Sequence, residues 1–171
     1  MLSKIKKIRS VISAIIIIWG IFTFSAFIME ESLQQITFAN FTALDAENWN
    51  MLKSNIELMK KINKHLEILN KFILWIQPVA MFAYSDYVVA TNNYIQTMQD
   101  TVIANAPQLY HNEKIKIKFF YKQIQKNKET YQLRNGRLIM TVDNEPATPV
   151  IEAICQIRHV GGLRYELIPI N

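Results

Sequence analysis

Cys155 and His159 lie four residues apart, a spacing that on a helix would set a thiol beside an imidazole as a nucleophile and its base. No orienting group or oxyanion donor accompanies them, so the reading adopted is a buried structural cysteine. His65, His111 and His159 are far apart and none belongs to a paired metal-ligand motif such as H-E-x-x-H. His65 falls on the polar face of a helix, beside Lys64. Gly161-Gly162 is too short for a phosphate-cradling loop, which needs more glycines at fixed spacing and a following helix. Glu30 and Glu31 are adjacent, and adjacent helical positions do not face a common point. One cysteine in the chain excludes an internal disulfide framework or thiolate cluster. These residues predict no enzymatic activity, cofactor, metal or small-molecule substrate.

Charge is the other source of chemistry. The net charge is +5, and Lys4, Lys6, Lys7 and Arg9 supply four of those charges. A second cluster, Lys114, Lys116, Lys118, Lys122, Lys126, Lys128, Arg134 and Arg137, stands against only Glu113 and Glu129, with Phe119, Phe120, Tyr121 and Tyr131 interleaved. Such a strip suits anionic lipid, polysaccharide, an acidic partner or the phosphates and bases of nucleic acid. An exported location makes nucleic acid an improbable partner. The plain alternative is a solvated sheet face whose lysines keep an edge strand from mispairing.

The elements that carry these groups begin with a membrane signal. Half of the 171 residues are apolar, too many for a disordered chain. Residues 10–29 contain no charge and include Ile15, Ile16, Ile17, Ile18, Trp19, Phe22 and Phe24. As a helix they would reach about 30 Å, the thickness of a bilayer core. Basic residues precede the span and Glu30-Glu31 follow it, which places residues 1–9 in the cytoplasm and the bulk of the chain outside it. A cleaved signal peptide would have a shorter apolar run, and the site before Ala26 fits that alternative poorly.

Residues 33–44 continue as helix or form a linker, and the sequon Asn40-Phe41-Thr42 reads as a chance match. With Asp45 as cap, Leu52, Ile56, Met59, Ile62, Leu66, Leu69, Ile73 and Ile76 form one apolar seam. Pro78 interrupts it. A second seam runs through Met81, Tyr84, Val88, Thr91, Ile95, Met98 and Val102 until Pro107. Two helices are predicted, about 46–76 and 79–105, meeting in a kink or hairpin. The charge-free stretch from Phe72 to Ser85 is too short to span a bilayer, so it reads as a buried core at the elbow. Contact with the membrane interface or with a transmembrane partner is the sharper alternative.

Beyond Pro107 the period changes to two. Lys114 to Phe119 alternates as a strand with its lysines on the wet face. Asn135-Gly136 predicts a type I′ hairpin. Thr148-Pro149 favours a short helix to Ile157, with a strand as the alternative. Leu163, Tyr165 and Leu167 alternate as a terminal strand whose Pro169 suits an end or an edge. The expected fold class is therefore α+β: a single N-terminal transmembrane helix (10–29), a helical segment (30–107) and a small α+β domain with an antiparallel sheet (108–171).

Taken together, the basic tail, the span from Ser10 to Met29, the seams from Leu52 to Val102 and the domain from Lys114 to Asn171 resemble bitopic inner-membrane proteins of type IV pilus, type II secretion and conjugation machines. The resemblance is one of architecture, without a shared motif. It implies a single-pass scaffold subunit of an envelope complex, pairing with another copy or with other membrane-protein subunits. On this reading Leu66, Leu69, Trp75, Phe82, Ile95 and Met98 contact the partner. The competing reading, an internal hairpin, claims the same seam residues for the chain itself.

Overall fold

The structure is a computed structural model that describes the backbone of residues 2–74 and 78–170, with side chains for residues 8–71 and 85–170. Three helices, α1 (Leu2–Asp45), α2 (Trp49–Leu74) and α3 (Pro78–Asn105), precede a 3₁₀ turn (Pro107–Tyr110) and six strands. The strands are β1 (Lys114–Phe120), β2 (Gln123–Asn127), β3 (Thr130–Asn135), β4 (Leu138–Val142), β5 (Val150–Gly161) and β6 (Arg164–Pro169). The fold is α+β. The chain forms two compact units, residues 1–42 with 57–95, and residues 43–56 with 96–171.

The first unit is helical. No linker interrupts α1, which continues past the apolar stretch to Asp45. Among its buried and half-buried residues, Trp19, Phe22, Ala26, Met29, Leu33, Ile36 and Asn40 recur in alternating steps of three and four. That is the spacing of a packed helix seam. As far as Met29 most residues around it are apolar, which hides that part of the seam in the sequence. On α2 the buried positions within this unit are Met59, Asn63, Leu66 and Asn70. The expected seam through Ile62 and Leu69 contains an irregular step, and the observed one does not, because asparagines hold two of its positions. Asn63 Nδ2 donates to Val88 O at 3.2 Å and to Asn92 Oδ1 at 2.9 Å, which repays part of the cost of burying an amide. Val88, Thr91 and Ile95 bury as expected on α3.

The second unit holds the sheet. Asp45 does not cap α2: α1 ends there, and Asn48 Oδ1 accepts from Met51 N at 3.1 Å. The strand order is β1-β5-β6-β4-β3-β2, antiparallel except for β4 beside β6. Laid flat, six strands would hold β1 and β2 about 24 Å apart. Yet only Tyr121 and Lys122 join them, a path of at most about 11 Å. The sheet therefore curls toward closure. Lys122 N donates to Arg134 O at 2.9 Å and Asn135 Nδ2 to Phe120 O at 2.7 Å, tying the end of β1 to β3. Ile117, Phe119, Leu133, Met140, Cys155, Ile157 and Leu167 are buried in this unit, together with Leu52, Ile56, Val102, Ile103 and Tyr110.

Two sequence expectations for the sheet change, and a third is narrowed. Residues 150–161 form a strand and not a helix, because β5 finds ladder partners on both sides, β1 and β6, which outweigh the Thr148-Pro149 cap signal. The β3–β4 loop is Gly136-Arg137, with positive φ at Gly136 alone, so its geometry is that of a glycine-first turn and not type I′. Finally, β6 lies inside the sheet; Pro169 ends it but marks no edge.

Candidate functional site

The basic strip divides when it folds. Lys114, Lys116 and Lys118 are exposed on β1, which is one end of the strand order. Glu152, opposite on β5, pairs with Lys118 at 3.1 Å and Lys116 at 3.8 Å, offsetting part of their charge. Lys126 lies 5.6 Å from the centre of the Tyr131 ring, Lys128 turns the β2–β3 loop with φ of 52°, and Arg137 is exposed in the next loop. Lys122 and Arg134 instead converge with Arg164 on a pocket of about 290 Å³, completed by Gln123, Gly136 and Ile139. Its lining contains three cations and no carboxylate. Arg134 is held by Gln132, whose Oε1 accepts from both Nε and Nη2. Such a cluster of N–H donors can take a phosphate, sulfate or carboxylate group. Sequence reasoning missed Arg164, because it lies outside the strip and reaches it only through the parallel pairing of β6 with β4.

A second opening of about 440 Å³ lies between the end of α3 and β1, lined by Thr97, Asp100, Thr101, Ile117, Phe119 and Leu138 among others. Gln96 Nε2 and Gln99 Nε2 donate to Lys116 O at 3.0 and 2.8 Å, and Lys118 N donates to Asp100 Oδ1 at 3.4 Å. Helix side chains thus occupy backbone groups of an edge strand that another strand would otherwise pair. Burial pushes the Asp100 carboxyl up to about 6 despite the bonds from Gln96 and Lys118. Between about pH 4 and 6 the folded carboxyl keeps a proton that the unfolded one has lost, so stability falls as pH rises through about 6. Allowing for its partial exposure, the cost above that range is about 1 kcal/mol. Asp100→Asn is therefore expected to raise the melting temperature by about 2–4 °C at pH 8 and to leave it unchanged near pH 4. Thermal melts at both pH values check this; an equal change at both would contradict it.

The thiol and imidazole do not meet. On β5 four residues extend about 13 Å. Cys155 is fully buried with its thiol pushed up to about 11 by desolvation, while His159 is exposed, stacks at 5.0 Å on Tyr165 and donates from Nε2 to Gly162 O at 2.9 Å. His65 is exposed and donates from Nδ1 to Lys61 O at 2.7 Å. Among the described residues no group of three His, Cys, Asp or Glu is placed to hold a metal ion.

Among the described residues the largest apolar exposure is on α1. The helix has one stretch long and apolar enough to cross a membrane. Ile15, Ile16, Ile17, Ile18 and Phe24 are exposed there, whereas Trp19 and Phe22 turn toward the seam and are half-buried. Beyond that stretch Phe38 and Phe41 remain 72% and 52% exposed. The expected partner residues fare differently. Leu66 and Ile95 are buried in the first unit's own core, Leu69 and Met98 are half-buried, and Trp75 and the Phe82 side chain lie outside the described residues. Among the described residues the hairpin seams are thus largely used within the chain, and most of the exposed large apolar side chains lie on α1. No family model, curated protein or solved structure matches this chain, so no family is assigned.

Proposed function

We propose that this chain is a membrane-anchored, non-enzymatic assembly subunit of a multiprotein envelope complex, of the kind found in pilus, secretion or conjugation machines. The observation that carries the proposal is α1. From Trp19 on, one face of it is packed by its own chain, while the outward side is apolar through a bilayer-length stretch and, beyond the exposed Glu31, Gln34 and Gln35, carries the exposed Phe38 and Phe41. Large exposed aromatic side chains beyond the bilayer mark a surface that another protein covers. The basic N-terminal residues lie in the cytoplasm and the sheet unit on the far side of an inner membrane.

The test is photo-crosslinking of full-length chain in its native membrane, with the reactive group placed at Phe38 or Phe41 and at exposed Glu57 as a control. A discrete crosslinked product of fixed stoichiometry, from either aromatic position and not from Glu57, is the expected result. Equal, diffuse labelling from all three would overturn the proposal.

The pocket of Lys122, Arg134 and Arg164 favours a second reading, in which the exported sheet unit binds an anionic lipid, polysaccharide or acidic partner. Contacts of that kind weaken steeply with salt, whereas aromatic packing on α1 does not. Repeating the crosslinking at high ionic strength separates the two.

A further inference from the structure

Four hydrogen bonds fix how the helices of the first unit are levelled. Asn40 Nδ2 on α1 donates to Met59 Sδ on α2 at 3.4 Å, and Tyr87 Oη on α3 donates to Glu30 O on α1 at 3.4 Å. Asn63 on α2 meets Val88 and Asn92 on α3. Because residues 46–48 alone connect them, α1 and α2 run antiparallel. α1 and α3 run in the same direction, since a cleft of about 370 Å³ sets Gln34, Thr37 and Phe38 beside Ala90, Thr91 and Tyr94, further along both helices than Glu30 and Tyr87.

Counting along the helices from these bonds, Met29 of α1 is level with about Asn70 of α2 and Asp86 of α3. Each is where its helix changes character. Charges begin on α1 at Glu30, end on α2 at Lys71 and begin again on α3 at Asp86. Three charge borders, separate in sequence, therefore fall within about one helical turn of a single level. Past that level no formal charge occurs on α1 back to Ser10 or anywhere from Phe72 to Ser85. The border on α1 is the end of its bilayer-length stretch. Pro78 lies eight residues past Asp86, about 12 Å along the helix, which is less than the roughly 15 Å of one leaflet's hydrocarbon. Proline as the first residue of α3 also removes one amide that a helix start would leave unpaired in lipid.

We propose that the last turn of α2 and the first two turns of α3 are immersed in the lipid leaflet that surrounds residues 21–29 of α1. This rests on the reading of α1 as a membrane anchor. It makes the bilayer a partner of three helices, with one crossing and two entering a single leaflet. The bilayer thereby fixes the rotation of the helical unit about the anchor axis, which a single span leaves free.

The test uses full-length chain reconstituted in vesicles of phosphatidylethanolamine and phosphatidylglycerol. Nitroxides are attached to single cysteines introduced at each of residues 79–83, with Phe24→Cys and Val89→Cys as references; Cys155 is buried and is left in place. Collision rates with oxygen and with a water-soluble nickel chelate report depth. The expected result is that labels at 79–83 favour oxygen as the Phe24 label does, with Ala80 about 9 Å deeper than Asp86 would lie, and that the Val89 label favours nickel. Nickel access at all of 79–83 with a lipid-exposed Phe24 label would overturn the proposal and leave the anchor standing. Nickel access at Phe24 as well would overturn the anchor reading itself. Protection of 79–83 from both reagents would assign that segment to a protein partner and overturn its immersion in lipid.

Discussion

Replacing Ile16 and Ile17 together with arginine is expected to move the chain from the membrane fraction to the soluble or aggregated fraction. Both side chains are exposed on α1, at 59% and 62%, so the change leaves the packed seam of Ala26, Leu33 and Asn40 intact. An arginine near the centre of a spanning helix costs roughly 2.5–3.5 kcal/mol on insertion scales. Two of them cost roughly 5–7 kcal/mol, a factor of about 10⁴ or more in partitioning. Carbonate extraction followed by flotation reads the outcome, with Phe38→Arg as a control expected to stay in the membrane. Unchanged flotation of the double variant would mean that this apolar stretch is held by protein and not by lipid.

The second large effect lies in the sheet. Leu167 on the interior strand β6 is opposite Met140 of β4 on one side and Ile157 of β5 on the other, and all three are fully buried. Leu167→Ala removes the middle of that row and is expected to cost about 2–5 kcal/mol, as methyl groups are lost and a cavity is left between neighbours that the ladders hold in place. Urea unfolding of the sheet unit, followed by near-ultraviolet circular dichroism, checks this. Ile154→Ala on the same sheet, at a position 53% exposed, is expected to change stability by no more than about 0.5 kcal/mol. Equal effects of the two would contradict the observed register.

The sequence carried the apolar span, the two long helices and the alternating lysine strand openly, because each is a pattern written in neighbouring residues. It carried the rest poorly for identifiable reasons. The seam of α1 is invisible where every position is apolar, and the seam of α2 is obscured where Asn63 and Asn70 take positions that hydropathy reserves for Ile62 and Leu69. Thr148-Pro149 is a sound local signal for a helix start, but β5 is decided by β1 and β6, distant segments whose ladders no local rule contains. The same holds for Arg164, which joins Lys122 and Arg134 only after β6 has been placed beside β4. The cationic pocket was thus partly legible: two of its cations were in the strip, and the third belonged to a strand whose neighbours were unknown.

The strand order also sets a timetable. β1 is the first strand made and its ladder partner, β5, begins thirty residues after β1 ends; β6, which separates β5 from β4, follows later still. During synthesis β1 therefore waits unpaired on one side while β2, β3 and β4 form local hairpins, and the two halves join only when β6 emerges. Pairings so distant in sequence are slow to form and leave strand edges open to other chains in the interval. A chain interrupted before Arg164 would present two unfinished half-sheets. Until β6 is in place the sheet is two unjoined halves, and the pocket of Lys122, Arg134 and Arg164 does not exist before that strand joins them.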